Sequence, residues 1–423
     1  MKRFGLLATL VIGLTSLWPA LATDWSVDSA HQLRQVLSQA SAGDRITLTE
    51  GTYTGSFLIS VPVLIRAQGS VQIDAQGTGN ALSIQADDVT IDGLNIRGWG
   101  SDLTETDAAI KAVSVNNLTV RNTLLQGDGF GIYLENVNEA QIEHNRVQGN
   151  PAMRSADRGN GIHLISSQQI VVDGNRVSDT RDGLYIINSQ HNRLVNNQMR
   201  NLRFGIHYMY SHANTVEGNV AQNVDVGYAL MSSHSLAVSD NVAQNCRDYG
   251  LLLNFVNRSE FVGNRLESIR SDTDGQVVND EGKALFVYNS GQNLFRNNLL
   301  ADSDLGIHLT AGSEGNRFTE NRFVHNRVQV KYVSSREQEW SVDGRGNYWS
   351  NYLGWDLDSD GIGDAGFEPN DDMDKLMWTY PEAEVLMDSP AVLLLRWVQR
   401  NFPVLKSPGV RDSYPLYQLN GVE

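Results

Sequence analysis

The chain repeats itself every 22 or 23 residues, and that period limits what it can fold into. Asn175, Asn197, Asn219 and Asn241 are each 22 residues apart, and the steps Asn122–Asn145, Asn241–Asn264 and Asn298–Asn321 are each 23. Each asparagine sits in a short polar turn such as Asp173-Gly-Asn-Arg-Val177 or Ser239-Asp-Asn-Val242. A period of this length, sustained over many units, signals a solenoid whose repeats bury apolar surface only against their neighbours.

A second signature follows each asparagine, as in Gly161-Ile-His-Leu-Ile165, Gly205-Ile-His-Tyr-Met209, Gly227-Tyr-Ala-Leu-Met231 and Gly306-Ile-His-Leu-Thr310. These runs are too short for helices, and the frame of leucine-rich repeats is absent. We therefore expect an all-β chain, a right-handed parallel β-helix with about three short strands per turn over residues 23–345. Alternation along each strand puts Ile162, Leu184 and Ile206, and Leu164, Ile186 and Tyr208, in the interior. His163, Tyr185, His207, Ala229, Leu252 and His308 then face outward. The asparagines are expected to form a hydrogen-bonded ladder that satisfies the turns, a structural rather than a catalytic role.

The ends of the rod need covers, because an open coil exposes apolar surface and strand edges. Ser29-Ala-His-Gln32 reads as a capping box, and Leu33, Val36, Leu37 and Ala40 follow at helical spacing. We expect a short N-terminal capping helix, with strands starting at Arg45-Ile-Thr-Leu48. Polar insertions at 151–160 and 271–282 should project as loops. Ahead of all this, Lys2 and Arg3 precede an apolar run over 4–18 and then Ala20-Leu21-Ala22. That is the pattern of a signal peptide over 1–22, which predicts a periplasmic or extracellular protein.

The formal net charge is −16, and loss of Lys2 and Arg3 with the leader makes it more negative. Such a surface argues against nucleic acid and anionic lipid as partners and suits cations or basic proteins. The single cysteine, Cys246, excludes an internal disulfide and occupies an apolar position of its repeat, so we read it as a buried thiol. No other apolar run is long enough to span a membrane.

Three segments could carry chemistry. Met209-Tyr-Ser-His212 recurs one repeat later as Met231-Ser-Ser-His234, at the same offset from the preceding glycine. The two methionines should stack about 4.8 Å apart, as should the two histidines, and His207 shares the face of Met209. Thioether and imidazole together suit copper, not Ca²⁺ or Mg²⁺. The plainer reading is methionine packing beside exposed histidines. Next, Asp356-Leu-Asp-Ser-Asp-Gly-Ile-Gly-Asp364 matches the first half of a calcium loop through Asp356, Asp358, Asp360 and Asp364. Phe367 stands where the closing glutamate belongs, and the alternative is an acidic turn bonded to its own backbone. This loop falls in an Asp-rich region over 346–388. Finally, residues 391–402 read as an apolar helix within a Pro-containing tail over 389–423. It could cap the rod, dock on a membrane-embedded partner, or do both.

Along nearly all of its mature length the chain resembles the NosD family of periplasmic copper-binding β-helix proteins. Residues carrying the resemblance are Ala42-Gly-Asp-Arg-Ile46, Glu50-Gly-Thr-Tyr53, the Gly-Ile-x-Leu coils, Gly346-Asn-Tyr-Trp-Ser350, Asp356–Asp364 and the tail from Ser389 to Pro415. The resemblance implies a non-enzymatic accessory role in maturing nitrous-oxide reductase. It implies an ABC transporter, with membrane permease and cytoplasmic ATPase, and a copper chaperone as partners. The copper ligands Met209, His212, Met231, His234 and His207 rest on repeat register instead. Two other readings stand beside this one. The fold is shared with lyases, hydrolases and epimerases of acidic polysaccharides, although no repeated acidic pair stands out among outward acids such as Asp182. The chain could also be a scaffold whose Met/His stripe is a contact surface.

Overall fold

A computed structural model describes residues 22–271, 282–332, 336–380, 389–401 and 408–418. The leader, apart from Ala22, and most of the 271–282 insertion lie outside the described residues. The chain winds into a parallel β-solenoid of about 14 turns. Among the described residues its walls are three sheets of 13, 12 and 13 strands, each strand pairing in parallel with its counterparts one turn away. A fourth sheet of two strands joins Gln338–Glu339 to Val410–Arg411.

The expected inward residues are the core. Ile162, Leu184 and Ile206 stack through the coils beside Leu164, Ile186 and Tyr208, and all are fully buried. Burying each such side chain contributes about 1.5–3 kcal/mol, so the stack holds coil on coil. Toward the far end the core becomes aromatic: Phe261, Phe295, Phe318 and Trp340 stack at 4.9, 4.6 and 4.1 Å between successive ring centroids.

The asparagine ladder is present and buried. The side-chain oxygens of Asn197, Asn219 and Asn241 accept from the backbone N–H of the asparagine one coil earlier, each at 3.0 Å. Their amide nitrogens donate to Val172, Leu194 and Val216 carbonyls at 2.8 Å. The residue before each asparagine, such as Asn196, Gly218 or Asp240, has φ between 55° and 64°. Gly, Asn and Asp recur there because the left-handed region excludes most other residues. This places Asn122 differently from expectation. Asn122 is itself left-handed, with φ 55°, and Thr123 takes the ladder position, bonding Asn145 Oδ1 through N–H and Oγ1 at 3.0 and 2.7 Å.

The caps follow in kind. Helix Ala30–Gln39 starts at Ser29, whose hydroxyl accepts from the Gln32 N–H, and it buries Leu33, Val36 and Leu37. Strands begin earlier than expected, because Asp24–Val27 pairs with Asp44–Leu48. At the other end Tyr348–Trp349 pairs with Arg322 and Phe323. There the ladder stops on Asp412: its carboxylate accepts from the Asn347 N–H at 2.7 Å and from Trp349 Nε1 at 2.8 Å. Beyond it lie the expected helix, Pro390–Asn401, and an unforeseen one, Asp372–Thr379, capped by Asp371. Arg396 bridges the two through Asp371 and Asp374.

Candidate metal centre

The Met/His candidates lie on the outward face of the 12-stranded sheet. In strand Phe204–Met209, Ile206 and Tyr208 point inward while His207 and Met209 point outward and are half-buried. Met209 pairs in register with Met231 of strand Val226–His234, as the repeat predicts. The Tyr185 hydroxyl lies 4.0 Å from Met209 Sδ.

After each methionine the chain bends through a left-handed residue, Tyr210 and Ser232, both with φ 48°. The bend turns Ser211 and Ser233 inward. The Ser233 hydroxyl accepts from the Ser211 N–H at 3.0 Å and donates to the Met231 carbonyl at 2.7 Å. His212 and His234 therefore emerge outward again, beyond the bend. Their rings stack with centroids 3.9 Å apart and planes 8° from parallel. His212 Nδ1 accepts from the His234 backbone N–H at 3.3 Å, which assigns its neutral proton to Nε2. Burial, then the neighbouring His234, lowers the His212 pKa, so the ring is neutral at pH 7.

His207 is held quite differently. Its Nδ1 lies 3.0 Å from Asp182 Oδ2, and Asp182 is fully buried. Arg203 clamps the same carboxylate at 2.9 and 2.6 Å. Burial pushes this carboxyl up, but hydrogen bonds from His207 and Arg203 and their charge outweigh it and hold it below the usual range. Tyr185 and Phe204 each meet the His207 ring edge-on at 4.7 Å. With Nδ1 donating to a carboxylate, the neutral form of His207 carries its lone pair on Nε2, as in histidines that bind metal. Asp182 is therefore no exposed acid facing a substrate, although it lies on the outward side of its sheet. Its role had no sequence signal beyond its position, because the contact joins residues 25 apart on neighbouring coils.

His163, also expected outward, is buried between Tyr133 at 5.1 Å and Tyr185 at 4.5 Å. Burial pushes its pKa down to about 4, and Asn160, at the end of the 151–160 insertion, lies 3.2 Å from Nδ1. Ala229 is likewise covered. Cys246 is buried as expected, and burial pushes its thiol up to about 12.

Asp356, Asp358 and Asp360 bring ligand oxygens within 4.8 Å of one another, the one such group of His, Cys, Asp and Glu among the described residues. Asp364 is not in it and instead accepts from the Leu357 N–H at 2.7 Å. The loop also bonds itself: Asp356 accepts from the Ser359 and Gly361 N–H groups at 2.7 and 3.0 Å, the geometry of an acidic turn.

Comparison with known proteins places the chain as a whole. Residues 143–354 match the family model described as "Periplasmic copper-binding protein (NosD)". Residues 30–228 match a second model, a protein family of unknown function. A "Probable ABC transporter binding protein NosD" of Pseudomonas aeruginosa is 54% identical over 390 residues, covering 91% of both chains. The protein of that name from Stutzerimonas stutzeri is 50% identical over 385 residues, covering 90% of this chain and 88% of its own.

The chain belongs to the NosD family.

That family is described as periplasmic and copper-binding, and its members above are named as binding proteins of an ABC transporter. Among the described residues no helix is long and apolar enough to cross a membrane. Solved structures give the fold alone. A Yersinia enterocolitica family 28 exopolygalacturonase matches with a TM-score of 0.54 at 12% identity, covering 74% of this chain and 77% of its own. A Thermotoga maritima exopolygalacturonase matches with 0.51 at 12% identity, covering 77% and 93%. Identity this low transfers no activity.

Proposed function

We propose that this protein is a non-enzymatic periplasmic accessory of an ABC transporter that takes up copper transiently and passes it toward nitrous-oxide reductase. Its leader would be cleaved after about Ala22. The observation that carries the reading is the half-buried pair Met209 and Met231 beside a His207 oriented by buried Asp182. Two thioethers and one imidazole form a soft, open donor set, suited to Cu(I) and to release. In this reading His207 Nε2, Met209 and Met231 hold the ion. His212 and His234 act as exchange ligands, because their lone pairs lie in parallel ring planes and the rings must unstack before both can meet one ion. The partners would be the permease and ATPase, a copper chaperone as donor, and nitrous-oxide reductase as acceptor.

Cu(I) affinity by chelator competition tests this, on the mature protein and on Met209→Ala/Met231→Ala and His212→Ala/His234→Ala variants. Affinity lost in the methionine variant with the fold intact supports the assignment. Equal affinity in all three removes it. The Asp-rich loop belongs to the same reading as a structural calcium site at Asp356, Asp358 and Asp360. A rise in thermal stability with millimolar Ca²⁺, absent in Asp358→Asn, would support that, and no rise would end it. Incubation with pectin and alginate tests the polysaccharide-enzyme alternative.

A further inference from the structure

A different face of the rod carries a feature that copper handling does not use. On the outward side of the sheet containing strands Arg146–Gln148, Arg176–Ser178, Gln198–Arg200 and Val220–Gln222 there is a groove of about 480 Å³. Arg146, Arg176, Arg200, Gln198, Gln222 and Ser178 supply its polar lining. Arg146 and Arg176 are register partners on neighbouring strands, and Arg200 stands in register with Ser178 one coil on.

Elsewhere the rod sets arginine against an acid of the preceding coil, at Arg97–Asp74, Arg121–Asp92 and Arg345–Glu320. Here arginine meets arginine. None of the three guanidinium groups makes an ion pair or hydrogen bond among the described residues. Like charges in register across a sheet repel, so this arrangement costs stability in the free protein. It is also a concentrated positive patch on a chain of net charge −16.

We infer that this groove binds a short acidic peptide segment of a partner protein in extended form. Guanidinium groups recognise carboxylates bidentately, and an acidic side chain would relieve the Arg146–Arg176 repulsion on binding. Gln198 offers an amide donor and acceptor that match a peptide backbone, and Gln222, whose nitrogen donates to Gln244 Oε1 at 3.0 Å, adds a carbonyl acceptor. The volume suits a few residues rather than a long polymer. Among the described residues no aromatic side chain lines the groove, so a sugar ring would find no platform there to stack on. A long polyanion would also meet the acidic remainder of the surface.

The test is fluorescence anisotropy of the mature full-length protein with a labelled eight-residue peptide of alternating glutamate and serine, in 150 mM salt. Saturable binding is expected, at least tenfold weaker in Arg176→Glu/Arg200→Glu and changed less than twofold in Arg193→Glu, on another sheet. The milder Arg176→Gln/Arg200→Gln pair should weaken it in the same direction, and circular dichroism and copper affinity check that each variant is folded. Absence of saturable binding overturns the inference. So does an equal loss in Arg193→Glu, which would make the effect diffuse charge. Tighter binding of oligogalacturonate than of the peptide overturns it too, by making the groove a sugar site.

Discussion

Asp182 lies 3.0 Å from His207 Nδ1, from one coil to the next, while Arg203 holds its other side. This buried carboxylate decides which nitrogen of His207 can meet a ligand. Asp182→Asn removes the negative charge that stabilises an Nδ1–H donor, so Cu(I) affinity should fall about 10–100-fold. Chelator competition reads the affinity. A fall restricted to stability, with affinity unchanged, would make Asp182 a purely structural partner of Arg203.

Copper binding should also depend on pH in one direction. Protons compete with metal for imidazole, so affinity should decline as the pH falls through about 6 and below. The lowered His212 pKa keeps that ring neutral further into acid than an ordinary histidine. The loss at acid pH should therefore be larger in His212→Ala than in the native protein. A competition titration from pH 7.5 to 5 checks this.

The ladder makes a stability prediction. Asn219 Oδ1 receives two donors from Asn197, and its nitrogen satisfies the Leu194 carbonyl, all out of contact with water. Asn219→Ala leaves these groups unpaired and should cost about 2–4 kcal/mol. The exposed Gln141→Ala should stay within about 0.5 kcal/mol. Denaturant unfolding of both compares them directly.

Asp412 closes that ladder, and burial pushes its carboxyl up to about 6. A carboxyl raised in the folded state binds its proton more tightly there than in the unfolded chain. Its contribution is therefore greatest below about pH 4 and is lost as the pH rises through about 6. The stability difference between the native protein and Asp412→Asn should shift by up to about 3 kcal/mol between pH 4 and pH 7.5. Parallel melting curves at the two pH values measure it, and a constant difference would show that folding does not raise the Asp412 pKa.

Cys246 provides a simple check on the core. Its buried thiol, pushed up to about 12, should not react with a thiol reagent at pH 8 until denaturant unfolds the coil. Stoichiometric labelling of the native protein would contradict that packing.

The sequence by itself determined the architecture, because a solenoid is built from local periodicities. The 22-residue step, the inward Ile162–Leu184–Ile206 stack and the Met209–Met231 register all follow from residues at a fixed spacing in the chain. Cys246 and the helix at Leu33–Leu37 were legible for the same reason. What lay beyond the period was set by three-dimensional contact. Thr123 replaces Asn122 in the ladder because the left-handed bend shifts the inward position by one residue. His163 is buried because aromatic rings of adjacent coils enclose it. The separation of the stacked histidines from the methionines, the Asp182–His207 bond and the closure of the ladder by Asp412 were likewise decided only in the tertiary structure. Each depends on side-chain direction and on contacts between coils, or across 65 residues in the last case, and neither is written in a one-dimensional spacing.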